Sequence, residues 1–588
     1  MEQGNEKLEE ALRAALQLSK EEADKESPLY YGYDEEEKLW QVIVKYNGDI
    51  QKIEKMFADT RVTELFNQYA IITTREEYIQ TIASLPEIAF MEKPKRLYFN
   101  LEAERSISCI NAVQGSTTAL NLTGEGVLVG IVDSGIDYTH PTFRNADGSS
   151  RIAYLWDQSA TNEQAQARTP AGYGFGAQYT MEDINQALQG NADSVTGNAF
   201  PTTERGSGHG TAVAGIAAGN GNGSAGNRYR GIAVNSELIV VKLGRKDEDF
   251  AGTTEVMEGM DYIMRKAIAL QKPVVINLSF GNNAGAHDGQ SLFENYISEL
   301  SSIWKNVIVA ASGNEGDARH HARLLLRQQE ETVFFAIGPR EKNISLQIWK
   351  DYVDDFSVFL EAPDGQKIFI ASNPGTAMTY QAGADKVFVY YGIPTPYTVS
   401  QEIYIEWLPV EEDSFVKEGI WSIHFLPEKI VNGTVNLWLP TVEQVGLSTG
   451  FLSPEPDTTL TIPSTAFHII TVGAYQSDND SLAPFSGRGD TSDLRQMPTL
   501  VAPGVNVITA VPGGRYGART GTSIAAPFVT GSVALMMEWG IVRGNDSYLY
   551  GEKVKAYLMK GARPLPGEPV PSVRQGYGAL CLKNSLPV

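Results

Sequence analysis

The segment RTGTSIAAPFVTGSVALMMEWG, from Arg519 to Gly540, places a serine at the start of a long apolar run. Gly521, Ala525 and Ala526 are small, so the chain packs closely around the turn and directs Ser523 outward, at the positive end of the helix that follows. Thr and Ser suit a helix N-terminus, and Pro527 is tolerated in a first turn whose N–H groups lack partners. A hydroxyl so placed can act as a nucleophile once a base takes its proton. A bilayer span needs about 20 predominantly apolar residues. Thr530, Ser532 and Glu538 interrupt this run, which favours a buried core helix.

The base is sought among the histidines. RGSGHGTAVAGIAAGNG holds His209 between two glycines, followed by small and apolar residues. The pattern predicts a loop feeding a tightly packed helix that ends at Gly219 as a left-handed C′ residue. Glycines on both sides of a histidine point to close backbone approach. Upstream, GVLVGIVDSGIDYTHP reads as a buried strand, Val127 to Val132, with Asp133 at its end. The C-terminal edge of a parallel strand is where α/β proteins place functional groups. Asp133, His209 and Ser523 supply the three parts of assisted nucleophilic attack. The imidazole takes the serine proton, and the aspartate fixes the tautomer and stabilises the imidazolium.

The order acid, base, nucleophile differs from that of chymotrypsin and the α/β-hydrolases. The blocks DSGID, GHGTAVAG and GTSIAAP resemble the subtilase family of serine peptidases. The family's usual methionine after the nucleophile is Ile524 here, and its usual histidine after the proline is Phe528; both keep an apolar packing residue. NVIVAASGNEG reads as a strand ending in a glycine-rich turn, and the resemblance makes Asn314 the side-chain donor to the oxyanion, with the backbone N–H of Ser523. VVINLSFGNN resembles the family's cleft strand. Ser279, Phe280 and Gly281 would pair with an extended peptide, and Ala311, Ser312 and Gly313 would form the opposite wall.

Other residues carry less. DSG at Asp133 has no second Asp-Ser/Thr-Gly with which to form an aspartic-protease dyad. His320 and His321 lack acidic or cysteine partners at ligand spacing and read as a surface loop. GNGNGSAGNRYRG lacks the Lys-Ser/Thr of a phosphate loop, and the basic run EKPKR is too short for nucleic acid.

The chain of 588 residues carries a formal net charge of −23, from 48 basic and 71 acidic residues. That field disfavours nucleic acid and anionic lipid as partners. The only cysteines, Cys109 and Cys581, give no disulfide framework, which fits a reducing compartment. The charged N-terminus has no apolar core of a secretory signal, so the expected location is cytoplasmic or spore-associated. Leu8, Leu12, Ala15 and Leu16 share one helical face, read as a helix laid on the surface.

The expected organisation is an α/β, subtilisin-like parallel sheet flanked by helices, with an N-terminal α+β propeptide-like domain and an inserted all-β, jelly-roll-like domain. The boundaries expected are 1–37 for a helical extension, 38–102 for the propeptide, 103–325 and 456–588 for the catalytic domain, and 326–455 for the insert. In the propeptide, Thr74 and Glu77 read as a capping box. In the insert, Pro-Asp-Gly at 363–365 and Asn-Gly at 432–433 read as hairpin turns.

A propeptide, a missing signal and an insert between Asn314 and Ser523 resemble one subgroup, the clostridial germination-specific subtilases and their Firmicutes relatives. The resemblance implies a serine endopeptidase acting by limited proteolysis on a protein or peptide, such as a zymogen. The family's own propeptide acts as inhibitor and is removed by self-cleavage, here between about Tyr98 and Ser106. No cofactor is required by this chemistry, and a structural calcium is left open. Some relatives have lost triad residues, so the competing reading is a non-catalytic scaffold or germination-signal sensor.

Overall fold

The computed structural model describes residues 6–17, 32–34, 37–99, 108–114, 120–160, 168–190, 204, 207–244, 251–372, 374–411, 414–491 and 496–587. They fall into two compact units. Met1–Arg96, Asn282–Asn295 and Glu315–Ile462 make the first, and Leu97–Gly281, Tyr296–Asn314 and Pro463–Val588 the second.

The second unit is built on a nine-stranded sheet. Ile470–Gln476, Asn306–Ala311, Val274–Leu278, Leu128–Asp133, Glu237–Lys242 and Ile152–Asp157 lie side by side and parallel. Leu128–Asp133, Val274–Leu278 and Asn306–Ala311 are buried along their whole length, as a parallel sheet covered by helices requires. Leu278 stands opposite both Val132 and Ala310. Asp133, Ser279 and Ala311 therefore leave the sheet together at its C-terminal rim, the usual location of function in such sheets.

Two wholly buried helices, His209–Ala218 and Thr522–Met537, pack in this unit's core. The long apolar run after Ser523 is thus a core helix. Gly219 does not take the left-handed C′ conformation expected of it: its φ is −65°. A Cβ there would lie 2.5 Å from the Gly215 carbonyl oxygen and 2.8 Å from Thr142 Oγ1, so glycine is needed for space.

Cys109 and Cys581 are joined as a disulfide, with Cα atoms 4.8 Å apart. The pair is not legible in the sequence, because 472 residues separate the two cysteines and no local spacing announces them.

The first unit contains a five-stranded sheet in which Leu39–Tyr46 pairs with Tyr69–Arg75 and Ile88–Glu92. Lys52–Met56 and Glu76–Ser84 are its helices, and Arg61–Glu64 is a strand the sequence reading missed. The capping box is absent: Arg75 precedes the helix and makes no side-chain cap bond. Thr74 is buried instead, its hydroxyl 2.7 Å from that of Thr60. The helix Glu10–Gln17 does not lie on the surface. Leu8 and Leu12 are fully buried in one cluster with Val42, Met91, Tyr390 and Tyr404. Even Glu10 and Arg13 are buried, paired at 3.2 Å.

Among the described residues, the segment Glu315–Ile462 is all-β. A six-stranded and a five-stranded antiparallel sheet share one apolar core that includes Trp407, Trp421, Ile348 and Leu437. Pro-Asp-Gly at 363–365 joins the paired strands Asp355–Glu361 and Lys367–Ile370. Asn-Gly at 432–433 does not make a hairpin. It links Gly419–Lys429 in the five-stranded sheet to Thr434–Trp438 in the six-stranded one. The Asp354 carboxylate accepts from the N–H groups of Val431, Asn432 and Gly433 at 2.6, 2.9 and 2.7 Å and holds that crossing.

Candidate active site

Asp133 ends its strand with its Oδ1 2.7 Å from His209 Nδ1. The same oxygen accepts from the Ser134 N–H at 2.8 Å, which fixes the carboxylate. Both side chains are fully buried. His209 reaches Asp133 because Gly210 lets the helix approach the strand: a Cβ on Gly210 would lie 2.1 Å from the Gly135 carbonyl oxygen. Burial works against a charged imidazole, but the Asp133 carboxylate and its hydrogen bond outweigh it, with Glu204 adding to the effect. The His209 pKa is raised above its ordinary value.

Ser523 is the second residue of its helix. Gly521 stands at the N-cap with φ of 141°, a conformation that favours glycine. A Cβ on Gly521 would sit 2.9 Å from Ser523 Oγ and 3.6 Å from Asn314 Nδ2, so the two groups face the same small space. The amide of Asn314 is oriented by Thr522, whose N–H and hydroxyl both lie 3.1 Å from Asn314 Oδ1. A backbone N–H only donates, which leaves Nδ2 as the group turned toward Ser523.

Pro527 is not in the first turn as the sequence suggests but sixth in the helix. Having no N–H, it cannot donate to the carbonyl of Ser523 four residues back. That carbonyl accepts instead from Ser279 Oγ at 3.0 Å. Asn277 Nδ2 lies 2.7 Å from the same Oγ, and Thr530 Oγ1 donates to Asn277 Oδ1 at 2.8 Å. The strand Val274–Leu278 and the helix that carries Ser523 are thereby joined by a chain of buried polar contacts.

Phe280 and Gly281 pair antiparallel with Phe99 and Tyr98. In the same three-stranded sheet, Ala251–Gly252 flanks the strand Arg96–Phe99 on its other side. Ala251 and Gly252 carry no distinctive side chain, so the sequence does not mark them. Ala311 ends its strand; the Ser312 N–H donates to Val472 O at 3.0 Å and the Gly313 N–H to Thr522 Oγ1 at 3.1 Å. Gly313 thus helps seat the turn that carries Asn314. Most of the expected self-cleavage span, residues 100–106, lies outside the described residues.

His320 and His321 do not form a surface loop. Both are buried, His320 with its Nδ1 2.6 Å from Glu315 Oε2 and His321 stacked on Trp438 at 4.8 Å between ring centres. The strand His321–Leu325 places His321 opposite Trp438, a pairing that local spacing does not reveal. Among the described residues, no group of three or more His, Cys, Asp and Glu side chains is arranged to hold a metal ion.

A parallel sheet of this order, with an aspartate on its rim bonded to a histidine and a serine at the start of a buried helix, is the subtilisin-like fold of serine endopeptidases. The chain belongs to the subtilase family, whose model matches residues 124–335 and 446–578. The model of the Csp protease B prodomain matches residues 6–95. The structure of the CspB protease of Clostridium perfringens is similar over 81% of this chain and 95% of that one, with 36% identity and a TM-score of 0.72. Serine protease AprX of Bacillus subtilis (strain 168) is 31% identical over 153 residues, 22% of this chain and 33% of AprX. Subtilisin E of the same strain is 44% identical over 68 residues, 12% of this chain and 16% of subtilisin E. The chain thus spans about a third of the length of AprX and less of subtilisin E.

Proposed function

We propose that the protein is a serine endopeptidase in which Asp133, His209 and Ser523 act as the triad. The 2.7 Å Asp133–His209 bond carries this reading most directly. His209 accepts the Ser523 proton as Oγ attacks the scissile carbonyl, and Asp133 stabilises the imidazolium. Asn314 Nδ2 and the first turn of the serine's helix stabilise the oxyanion. His209 then returns the proton to the leaving amine, and water completes the cycle.

The substrate class is an extended protein segment. Support comes from the edge Phe280–Gly281, which pairs with the chain's own Tyr98 and Phe99 as it would with a substrate strand. That pairing also supports residues 6–95 as an inhibitory propeptide whose following segment Ser523 cuts. Limited cleavage of a partner protein fits the likeness to the CspB protease.

The alternative is a scaffold or sensor without catalysis. The experiment is labelling with a fluorophosphonate probe: wild type takes the label and Ser523→Ala does not. A folded wild type that takes no label favours the scaffold.

A further inference from the structure

A buried carboxylate beside Asp133 and His209, that of Glu204, has no part in the mechanism proposed above. Glu204 is 4% exposed and lies beside the start of the His209 helix. Its Oε2 accepts from the Thr211 N–H at 2.7 Å and from Thr211 Oγ1 at 2.5 Å. Its Oε1 accepts from the Gly210 N–H at 3.2 Å and from the Ser134 hydroxyl. Each oxygen therefore faces a backbone N–H, which can only donate, at the positive end of a helix. Such a cradle suits an anion.

Ser134 is the link to the acid. Its N–H donates to Asp133 Oδ1, and its Oγ lies 3.2 Å from that oxygen and accepts from the Gly210 N–H at 3.0 Å. Thr211 Oγ1 also accepts from the Asp137 N–H at 2.7 Å, just beyond the same strand. Glu204 thus grips the strand end at Ser134 and the helix start at Gly210 and Thr211. Those are the two elements whose separation sets the Asp133–His209 bond.

We propose that Glu204 is a positioning residue of the active site, clamping the helix that carries His209 onto the strand that carries Asp133. The proposal rests on the triad reading above and extends it to a second carboxylate behind the acid. Asp133 and Glu204 favour the imidazolium of His209, and Arg519 opposes it. Glu204 itself is held above the usual carboxylate range, chiefly by burial, against the pull of the Ser134 and Thr211 bonds, with Asp133 adding to the rise.

The test compares full-length wild type, Glu204→Gln, Glu204→Asp and His209→Ala on one peptide substrate across pH. Glu204→Gln should lower kcat about tenfold, the cost of losing a buried hydrogen bond to a charged group, with KM little changed. Its acidic limb should move to lower pH, because the imidazolium loses one favourable neighbour. Glu204→Asp should keep the wild-type limb. Equal melting temperatures, or fluorophosphonate labelling at a reduced rate, would show that Glu204→Gln is folded. A Glu204→Gln enzyme with wild-type kcat and pH profile, beside an inactive His209→Ala, overturns this proposal alone. Wild-type activity in His209→Ala overturns the triad reading beneath it. If Glu204→Gln fails to fold, Glu204→Asp decides: it keeps the charge but loses the reach to Ser134, Gly210 and Thr211, so a wild-type kcat would overturn the clamp.

Discussion

Ser279 donates its hydroxyl hydrogen bond to the backbone carbonyl of Ser523 at 3.0 Å, a carbonyl that Pro527 leaves without its helical partner. The proline inside an otherwise regular buried helix is therefore a connector. It releases one carbonyl so that the segment beginning at Ser279 can be fixed to the helix that carries Ser523. Ser279→Ala should cost about 1 kcal/mol of stability. It should also reduce kcat/KM severalfold, because the cleft edge at Phe280 loses its anchor. Chemical denaturation and steady-state kinetics on the same sample check both.

Asn314 has two jobs that substitution can separate. Its Oδ1 holds Thr522, and its Nδ2 faces the space beside Ser523 Oγ. If Asn314 is the oxyanion donor proposed above, Asn314→Ala should lower kcat by about 10²–10³ with little change in KM, since that bond would form mainly in the transition state. Asn314→Asp should lose as much activity while keeping the acceptor for Thr522. An effect confined to KM would place Asn314 in substrate binding instead.

The pH dependence of catalysis follows from the raised pKa of His209. With His209 as the proposed base, catalysis needs the neutral ring, so activity should fall as pH drops through that raised value. The acidic limb of kcat/KM should thus lie above the ordinary histidine value of about 6.5. Asp133→Asn should move it down, in addition to its large loss of rate.

Stability of the first unit should change with pH in the opposite sense to a salt-bridged carboxylate. Burial pushes Glu402 up to about 8, reinforced by Glu9 and Glu10, and pushes Glu10 up to about 7 against the pull of Arg13. A carboxyl raised in the folded state favours folding while it is protonated. The contribution is fully present below the unfolded carboxyl pKa of about 4.3 and lost as pH rises through 7 and 8. Melting of the uncut Ser523→Ala chain should show less loss of stability between pH 6 and 9 when Glu402 is also replaced by Gln. An identical pH dependence in the two proteins would contradict this assignment.

Self-cleavage offers a separate check. Purified wild type should run as two fragments on a denaturing gel, and Ser523→Ala as one intact chain. N-terminal sequencing of the large fragment locates the cut. A single uncut chain that nevertheless hydrolyses peptides would make residues 1–99 an accessory domain.

The local elements that carry Asp133, His209, Ser523 and Asn314 were more legible in the sequence than the packing. Asp133, His209, Ser523 and Asn314 each sit in a short local pattern, because strand ends, close-approach glycines and helix starts are encoded within a few residues. Glu204 was not legible: it is an isolated acid in a polar stretch, and its donors come from Ser134, Gly210 and Thr211. The N-terminal helix was misplaced because Glu10 and Arg13 look solvated until their burial and pairing are known. Asn-Gly at 432–433 reads as a hairpin locally, yet the partner that decides its geometry, Asp354, lies far upstream. His320 and His321 failed as a surface loop for the same reason, their partners being set by strand pairing and by Glu315.

The most direct test of the central claim is to treat the folded, full-length protein with a fluorophosphonate and map the modified peptide by mass spectrometry. The account predicts one adduct, on Ser523, formed much more slowly in His209→Ala and absent from Ser523→Ala. No adduct on Ser523 in a folded wild type, or equal labelling of the His209→Ala protein, would contradict it.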